Sequence, residues 1–549
     1  MPLSLGNALL RTAVLFATAR LALSYLPDGR MHANMMRPPA VPKISSSGLH
    51  GPVTSRNGTQ LPPYDTVYFF DQLIDHDNPS LGTFKQRGPI ILMTPGEANA
   101  DGYDGYLTNR TINGRIAQQQ SGSTIVLEHR FYGLSNPKPD LSVGSLQLHT
   151  LQQAVDDLVY FANNVHLPMP DGDKLSPANA PWVLVGGSYS GALTSWTMVN
   201  KPGVFWAGYA SSAVVEAILD FWEYFEPIRQ NMPKNCSSDV QAVIEHIDQV
   251  FISGNTTAIQ SIKDLFGMGR MTHLDDVAGS LRNNLWDWQS LQPTSGSNSL
   301  FFKFCDALEV KNGVPAPESG WGLDNALTAW GSYFKKTYLR LLCGSTSVED
   351  CLGTYDTTQP YWTDTSIDNA GRSWFWIVCN EVGYLQARAP DDQPSLVTRL
   401  VQPPYDLRQC QQMFPAAFPE PPNVQIDRTN TVYDGWTVQI DRLFFANGIR
   451  DPWREATMSA EPVTVKSTDN QPIKIGDGFH CSDLSATNGA IDSTIGSVQT
   501  SALASMKTWL AQWTPPSTVA GQKRTIQHSD ERVKTKPINA WFRGAGQMV

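Results

Sequence analysis

The chemistry legible in this chain starts at one bend. Residues 182–196 read WVLVGGSYSGALTSW, with Ser188 and Ser190 two positions apart among glycines. An apolar strand that enters Gly-x-Ser-x-Gly and leaves as a helix lifts a serine hydroxyl clear of the sheet edge on a strained turn. Small neighbours are required because strand and helix pass close together. Gly186-Gly187-Ser188-Tyr189-Ser190 fits with one departure, Ser190 in the place of the last glycine. Position 188 keeps glycine two residues before it and lies nearer the strand end, so Ser188 is the candidate nucleophile. A turn that only joins a strand to a helix has the same appearance, so the reading depends on partners.

A serine hydroxyl is a weak nucleophile until a base takes its proton. In folds with this turn the order along the chain is serine, acid, histidine. Of the ten histidines only His246, His273, His480 and His528 follow Ser188. The first two sit in stretches with helical periodicity, and His528 lies in a polar tail. His480, in GDGFHCSD, follows the apolar run QPIKI and sits in a glycine-containing loop, where a base belongs. RLFFANGIRDPW supplies the acid: an apolar run, an Asn447-Gly448 turn, then Asp451 in a loop stiffened by Pro452 and Trp453. Asp483 is near His480 but comes after it and fits the order less well. His480, Cys481 and Asp483 have no second cluster to complete a metal site, so no metal or cofactor is expected. In the resulting triad His480 takes the Ser188 proton, and Asp451 holds the imidazole tautomer and stabilises the imidazolium. The N–H of Tyr189 is expected to supply half of an oxyanion hole, and the Gly96-Glu97 turn in TPGEANA the other half. Trp453 is a candidate wall of a substrate pocket or a core residue. Glu97 could also bind a substrate amine.

The elements that must position these residues follow from periodicity. VYFFDQLIDH and LGTFKQRG read as paired strands about an Asn78-Pro79 turn. PIILMT (89–94), TIVLEH (124–129) and WVLVGG (182–187) read as buried parallel strands. Between them Thr150 and Gln153 form a capping-box signature ahead of Leu151, Val155, Leu158, Val159 and Ala162, which share one helical face. FWAGYASS (205–212) is the next strand. Alternating strands and helices imply a parallel sheet with crossovers. From 213 to about 430 strand signals thin out and helical periodicity dominates, as in VQAVIEHIDQVFI (240–252). The expectation is therefore an α/β-hydrolase fold in two parts, 64–212 and 431–514, with a mainly helical cap domain (213–430) inserted between them. A leader arm (25–63) precedes it, with order beginning near Tyr64, and a polar tail (515–549) follows.

The chain has 549 residues, 41% hydrophobic and 17% charged, with a net charge of −10. This is a globular composition, and its acidity disfavours nucleic acid and anionic membranes as partners. Arg11, the apolar run Thr12 to Ala19 and the small-x-small Ala17-Thr18-Ala19 resemble a secretory signal within residues 1–24, too short to span a bilayer. Sequons at Asn57, Asn109, Asn235 and Asn255 agree with export. Of seven cysteines, six lie between 236 and 410, which suggests three disulfides in the cap with Cys481 left over. Six cysteines allow fifteen pairings, and spacing does not choose among them.

GGSYSG, NGIRDPW and FHCSDL, in that order, resemble the proline-specific serine peptidases that include lysosomal Pro-Xaa carboxypeptidase and dipeptidyl-peptidase II. TPGEANA, GYLTNRTI, LEHRFYG, MPKNC and FCDALE bring the chain nearest to the secreted acid prolyl endoproteases of fungi. The resemblance spans roughly residues 60 to 512. It implies a secreted (or vacuolar or lysosomal) peptidase with the triad Ser188, Asp451 and His480, acting on proline-containing peptides at acidic pH. Endopeptidase action is favoured through the resemblance alone, with carboxypeptidase and dipeptidyl aminopeptidase modes as alternatives. A carboxylesterase, which would commonly carry an HGG-type loop absent here, and a hydrolase-like binding protein without turnover are readings of other classes. Work near pH 4 to 5 needs an imidazole pKa well below about 6.5, and burial under the cap is expected to supply that shift.

Overall fold

In the computed structural model, residues 29–32, 41–44, 60, 66, 68–88, 92–167 and 172–515 are described. The signal-like segment 1–24, the sequon at Asn57 and the tail beyond residue 515 lie outside them. Tyr68–Leu73 (β1) and Thr83–Gly88 (β2) pair antiparallel around a short 3₁₀ turn at Pro79–Leu81. Proline opens that turn, where its missing N–H costs no hydrogen bond.

The main sheet is parallel. Val183–Gly187 (β3), Ala207–Ser211 (β4), Leu443–Gly448 (β5) and Ile473–Gly476 (β6) lie in the order β6-β5-β4-β3. Met93 extends it on the β3 side, bridging Val185 and Val126 in parallel. The runs 92–94 and 124–129 thus join the sheet through that bridged residue and a few hydrogen bonds, such as Leu127 N–H to the Met93 carbonyl at 2.8 Å. β4 and β5 are buried at every position. Covered on both faces, such strands read as continuous apolar runs rather than alternating ones.

Helices cover the sheet. Leu151–Asn164 (α1) begins where Thr150 accepts from the Gln153 N–H at 3.2 Å. The capping box is half used. Instead of turning back to residue 150, the Gln153 amide bonds Asp75, the His76 N–H and Arg130. Tyr189–Asn200 (α2) leaves the bend after β3 and is buried from Tyr189 through Met198. Ser493–Ala511 (α6) closes the far side, its N-terminus capped by Asp492.

Residues 212–442 lie between β4 and β5 and are mainly helical, with Lys234–Ile252 (α3), Leu300–Glu309 (α4) and Ala370–Ile377 (α5) among their helices. Three disulfides occur there, Cys236–Cys305, Cys343–Cys351 and Cys379–Cys410. Cys481 is buried and unpaired. One apolar core wraps the sheet. A second fills the inserted region and also takes in Tyr189, Trp196, Trp453 and Phe479. Those four residues flank Ser188, Asp451 or His480 in sequence or share a helix with them, so the site lies on the seam between the two cores.

Order does not wait for Tyr64. Gly29–His32 forms a 3₁₀ turn, and Arg30 is buried against the inserted region, donating to the Gly353 and Asp350 carbonyls beneath the ring of Tyr361. Val41 is buried in the sheet-side core, where its carbonyl accepts from the Tyr103 hydroxyl. Isolated residues such as Arg30 and Val41 in Pro- and Ser-rich sequence carry no periodicity, so these anchors leave no signal in the sequence.

Candidate active site

The bend after β3 is tight because its neighbours leave no room. A Cβ at Gly186 would lie 2.0 Å from the Ser190 carbonyl oxygen, and one at Gly191 2.7 Å from that of Ser211. Ser188 itself adopts φ 59° and ψ −127°. Such a conformation costs on the order of 1–3 kcal/mol for a residue with a side chain. Its N–H donates to the Ser211 carbonyl of β4 at 2.9 Å, which helps hold it there. The two serines differ sharply. Ser190 Oγ donates to the Gly187 carbonyl at 2.8 Å and accepts from the Gly187 N–H at 3.0 Å, so it is consumed locally. Ser188 Oγ is buried and makes no hydrogen bond. A serine can stand at 190 because its hydroxyl bonds the turn itself.

β5 delivers Asp451 and β6 delivers His480. The Asp451 carboxylate accepts through Oδ1 from the Trp453 N–H at 2.9 Å, a local turn that Pro452 stiffens. The same oxygen lies 2.9 Å from His480 Nδ1. Both side chains are buried. With hydrogen on Nδ1, the imidazole presents Nε2 as an acceptor, and that atom has no partner. Burial, the largest single influence, presses the His480 pKa down, but the Asp451 carboxylate and the neighbouring Cys481 together outweigh it and the net shift is well above the ordinary value. This overturns the expectation that burial alone would depress it.

Glu97 is fully buried and neither carboxyl oxygen makes a hydrogen bond of ordinary geometry. Burial raises its pKa well above the carboxylate range. Its own backbone N–H, His480 and the Ser188 hydroxyl offset part of this, so the carboxyl is close to both candidate catalytic groups. A carboxyl kept neutral by burial is a hydrogen-bond donor, and an arriving amine would have to draw off its proton before it served as a counter-charge. Gly96, at φ 73°, packs against the bend: a Cβ there would meet the Ser190 Cβ at 3.0 Å. Its N–H is already given to Thr94 Oγ1 at 3.1 Å. Of the two oxyanion candidates in TPGEANA, Glu97 is therefore the one with hydrogen-bonding capacity left. Tyr189 opens α2, where the first N–H groups have no acceptor within the helix.

Trp453 is wholly buried, 6.3 Å from the His480 ring between centroids. Phe221, Tyr224 and Tyr384 surround it at 5.3 to 5.6 Å. Sequence reasoning missed the inserted residues that brace these loops. Gln289 Oε1 accepts from the Trp453 indole at 2.7 Å and from the Tyr224 hydroxyl at 3.0 Å. Gln292 Nε2 donates to the His480 carbonyl at 3.1 Å, and its Oε1 accepts from Ser482 and Asn488. A glutamine in a short helical turn and another just past it carry no signal in sequence that they face a site.

A parallel sheet with this strand order, a serine at positive φ between β3 and its helix, and a His–Asp pair after β6 and β5 define an α/β hydrolase. The chain belongs to the serine carboxypeptidase S28 family, which residues 80–285 and 304–495 match, and is thus a serine-type peptidase. It is 35% identical over 481 residues to the serine protease vicPa of Bipolaris victoriae (strain FI3), covering 80% of this chain and 88% of that one. A probable extracellular serine carboxypeptidase of Arthroderma benhamiae is 32% identical over 422 residues, 72% of this chain and 58% of that protein. The thymus-specific serine protease of Homo sapiens is 25% identical over 441 residues, 77% and 80% of the two chains. No helix among the described residues is long and apolar enough to cross a membrane.

Proposed function

We propose that this is a secreted peptidase that hydrolyses peptide bonds on the carboxyl side of proline through Ser188, His480 and Asp451. The observation that carries the reading is the pairing of His480 Nδ1 with Asp451 at 2.9 Å, with His480 Nε2 and the hydroxyl of the strained Ser188 both buried and without a hydrogen-bond partner. Ser188 Oγ attacks the scissile carbonyl carbon as His480 Nε2 takes its proton. Asp451 keeps Nδ1 protonated and stabilises the imidazolium. The carbonyl oxygen becomes an oxyanion that accepts from the Tyr189 N–H and from the neutral Glu97 carboxyl. Collapse breaks the C–N bond, and His480 returns the proton to the departing amine. A water molecule then attacks the acyl-enzyme by the same route in reverse.

The preference for proline rests on the aromatic group around Trp453. A proline ring is compact, apolar and without an N–H, and flat aromatic walls bury it well. Export is supported by the signal-like N-terminus, three disulfides and a relative described as extracellular. We favour endopeptidase action. The relative described as a serine carboxypeptidase keeps the exopeptidase mode as the second reading. Digestion of a long proline-containing protein, read by mass spectrometry, separates them. Internal fragments ending in proline support the endopeptidase. Release of single C-terminal residues or N-terminal dipeptides alone sinks it. Cleavage of esters without cleavage of any prolyl amide would sink the peptidase reading.

A further inference from the structure

The carboxylate that chain order leaves idle, Asp483, is buried three residues beyond His480. Its two oxygens each accept one hydroxyl: Oδ2 from Tyr209 at 2.6 Å and Oδ1 from Ser211 at 2.7 Å. Both donors lie on β4, the strand at the centre of the site. The Ser211 carbonyl accepts the Ser188 N–H, so the residue that bonds Asp483 through its side chain holds the nucleophile through its backbone. The next residue, Ser212, accepts the Cys481 N–H on Oγ at 2.9 Å. The Tyr209 ring stacks on Phe444 of β5, the strand that delivers Asp451, at 5.5 Å and 10° between planes. On the other side, the Asp483 carbonyl accepts from Gln499 of α6 at 2.8 Å.

Segments that supply Ser188, Asp451 and His480 from distant parts of the chain thus meet on β4. We propose that Asp483 is a positioning residue that sets His480 against Ser188, by fastening the histidine loop to Ser211 and Tyr209. It touches neither substrate nor the reacting atoms. The inference rests on the triad reading above. Asp483→Asn keeps the shape and one acceptor oxygen but replaces the other with an N–H donor, so one of the two hydroxyl bonds is lost or reversed. Ser211→Ala removes one bond and leaves the backbone contact to Ser188 in place. Displacing a catalytic group by about 1 Å costs about 100-fold in rate.

The test compares wild type, Asp483→Asn, Ser211→Ala and the double variant. Readouts are kcat and KM on a prolyl anilide, the rate of fluorophosphonate labelling of Ser188, and the thermal unfolding midpoint. The expected result is a fall in kcat and labelling rate of about 10- to 100-fold in each single variant. KM should stay within about twofold and unfolding should remain cooperative. The double variant should be little worse than either single one, because both break the same link. Equal kcat in wild type and either folded single variant overturns the proposal. So does an additive double variant whose losses track its unfolding midpoint. Should Asp483→Asn not fold, Ser211→Ala against Ser211→Thr, which keeps a hydroxyl, decides it. Wild-type protein that fails to label at Ser188 refutes the triad itself, an outcome distinct from these.

Discussion

Replacing Glu97 by glutamine isolates its proton. The carboxyl is buried, faces Ser188 and His480, and is held neutral well above its ordinary range by burial. The hydroxyls of Tyr103, Tyr132, Tyr189 and Tyr384 also feel its charge, and the one cation that eases its ionisation, His480, is outweighed by burial. If the neutral acid donates to the oxyanion, ionisation removes a donor and places a negative charge against a developing one. Loss of one oxyanion donor costs about 10² to 10³ in kcat. The wild-type kcat/KM should therefore fall about tenfold per pH unit on the alkaline side, once Glu97 titrates above its ordinary pKa of 4.5. On the acid side kcat/KM falls as His480 gains its proton. Because active enzyme needs the acid protonated and the imidazole neutral, the two limbs belong to the pair rather than to either residue. Glutamine keeps an N–H donor and cannot ionise. Glu97→Gln should therefore turn a bell into a curve that rises with pH to a plateau set by His480. Glu97→Ala should be slower by about 10² or more at every pH. The assay is kcat/KM on a prolyl anilide from pH 3 to 9. An alkaline limb that survives unchanged in Glu97→Gln, or an alanine variant within about threefold of wild type in acid, would refute the reasoning.

Four other changes probe separate links. Ser188→Ala should lower kcat by about 10⁶ and abolish fluorophosphonate labelling, and Asp451→Asn should lower kcat by about 10⁴; turnover retained by purified Ser188→Ala would overturn the nucleophile assignment. Asp157→Asn leaves the fully buried Arg130 guanidinium with a weakened partner, where the wild type has 2.5 and 2.6 Å bonds, and should destabilise by about 3–5 kcal/mol in urea unfolding. Glu381→Gln should stabilise the fold by up to about 3 kcal/mol at pH 8 and leave it unchanged at pH 4, because burial raises that carboxyl from 4.5 to about 7; unfolding midpoints at the two pH values check it.

Much of the site was legible because its residues stand at the ends of strands, and strands announce themselves as apolar runs. Ser188, Asp451 and His480, the candidate triad, each follow such a run, and chain order selects among the histidines. The structure brings Asp451 and His480 within 2.9 Å. Glycine spacing singles out Ser188 over Ser190 as the candidate, whereas the bonds of Ser190 to Gly187 lie in three dimensions. What stayed hidden was the bracing. Gln289 and Gln292 act across the seam between two cores, and no local pattern records a contact nearly two hundred residues away. The sign of the His480 shift was hidden for the same reason, since burial and a partner charge oppose each other and only geometry says which is larger.

Burial also sets how the whole fold answers to acid. Asp248 and Asp483 are pushed up to about 6, and Glu223, Glu309 and Glu381 to about 7, chiefly by desolvation. A raised carboxyl contributes stability that is complete below its unfolded value and is lost as pH climbs through its folded one. Over roughly pH 4 to 7 these five groups make the folded chain bind more protons than the unfolded chain, so stability falls as pH rises. His129, lowered to about 4, and His149, lowered too, both by burial, work the other way: their contribution is complete above about 6.5 and fades toward pH 4. The carboxyls outnumber the imidazoles, and Glu97 adds to their side. A fold that keeps carboxyls buried and protonated is therefore steadier in mild acid than at neutrality. The same condition keeps the Glu97 proton in place and also protonates His480, so under the proposed mechanism mild acid favours the fold and the Glu97 donor while it works against the base.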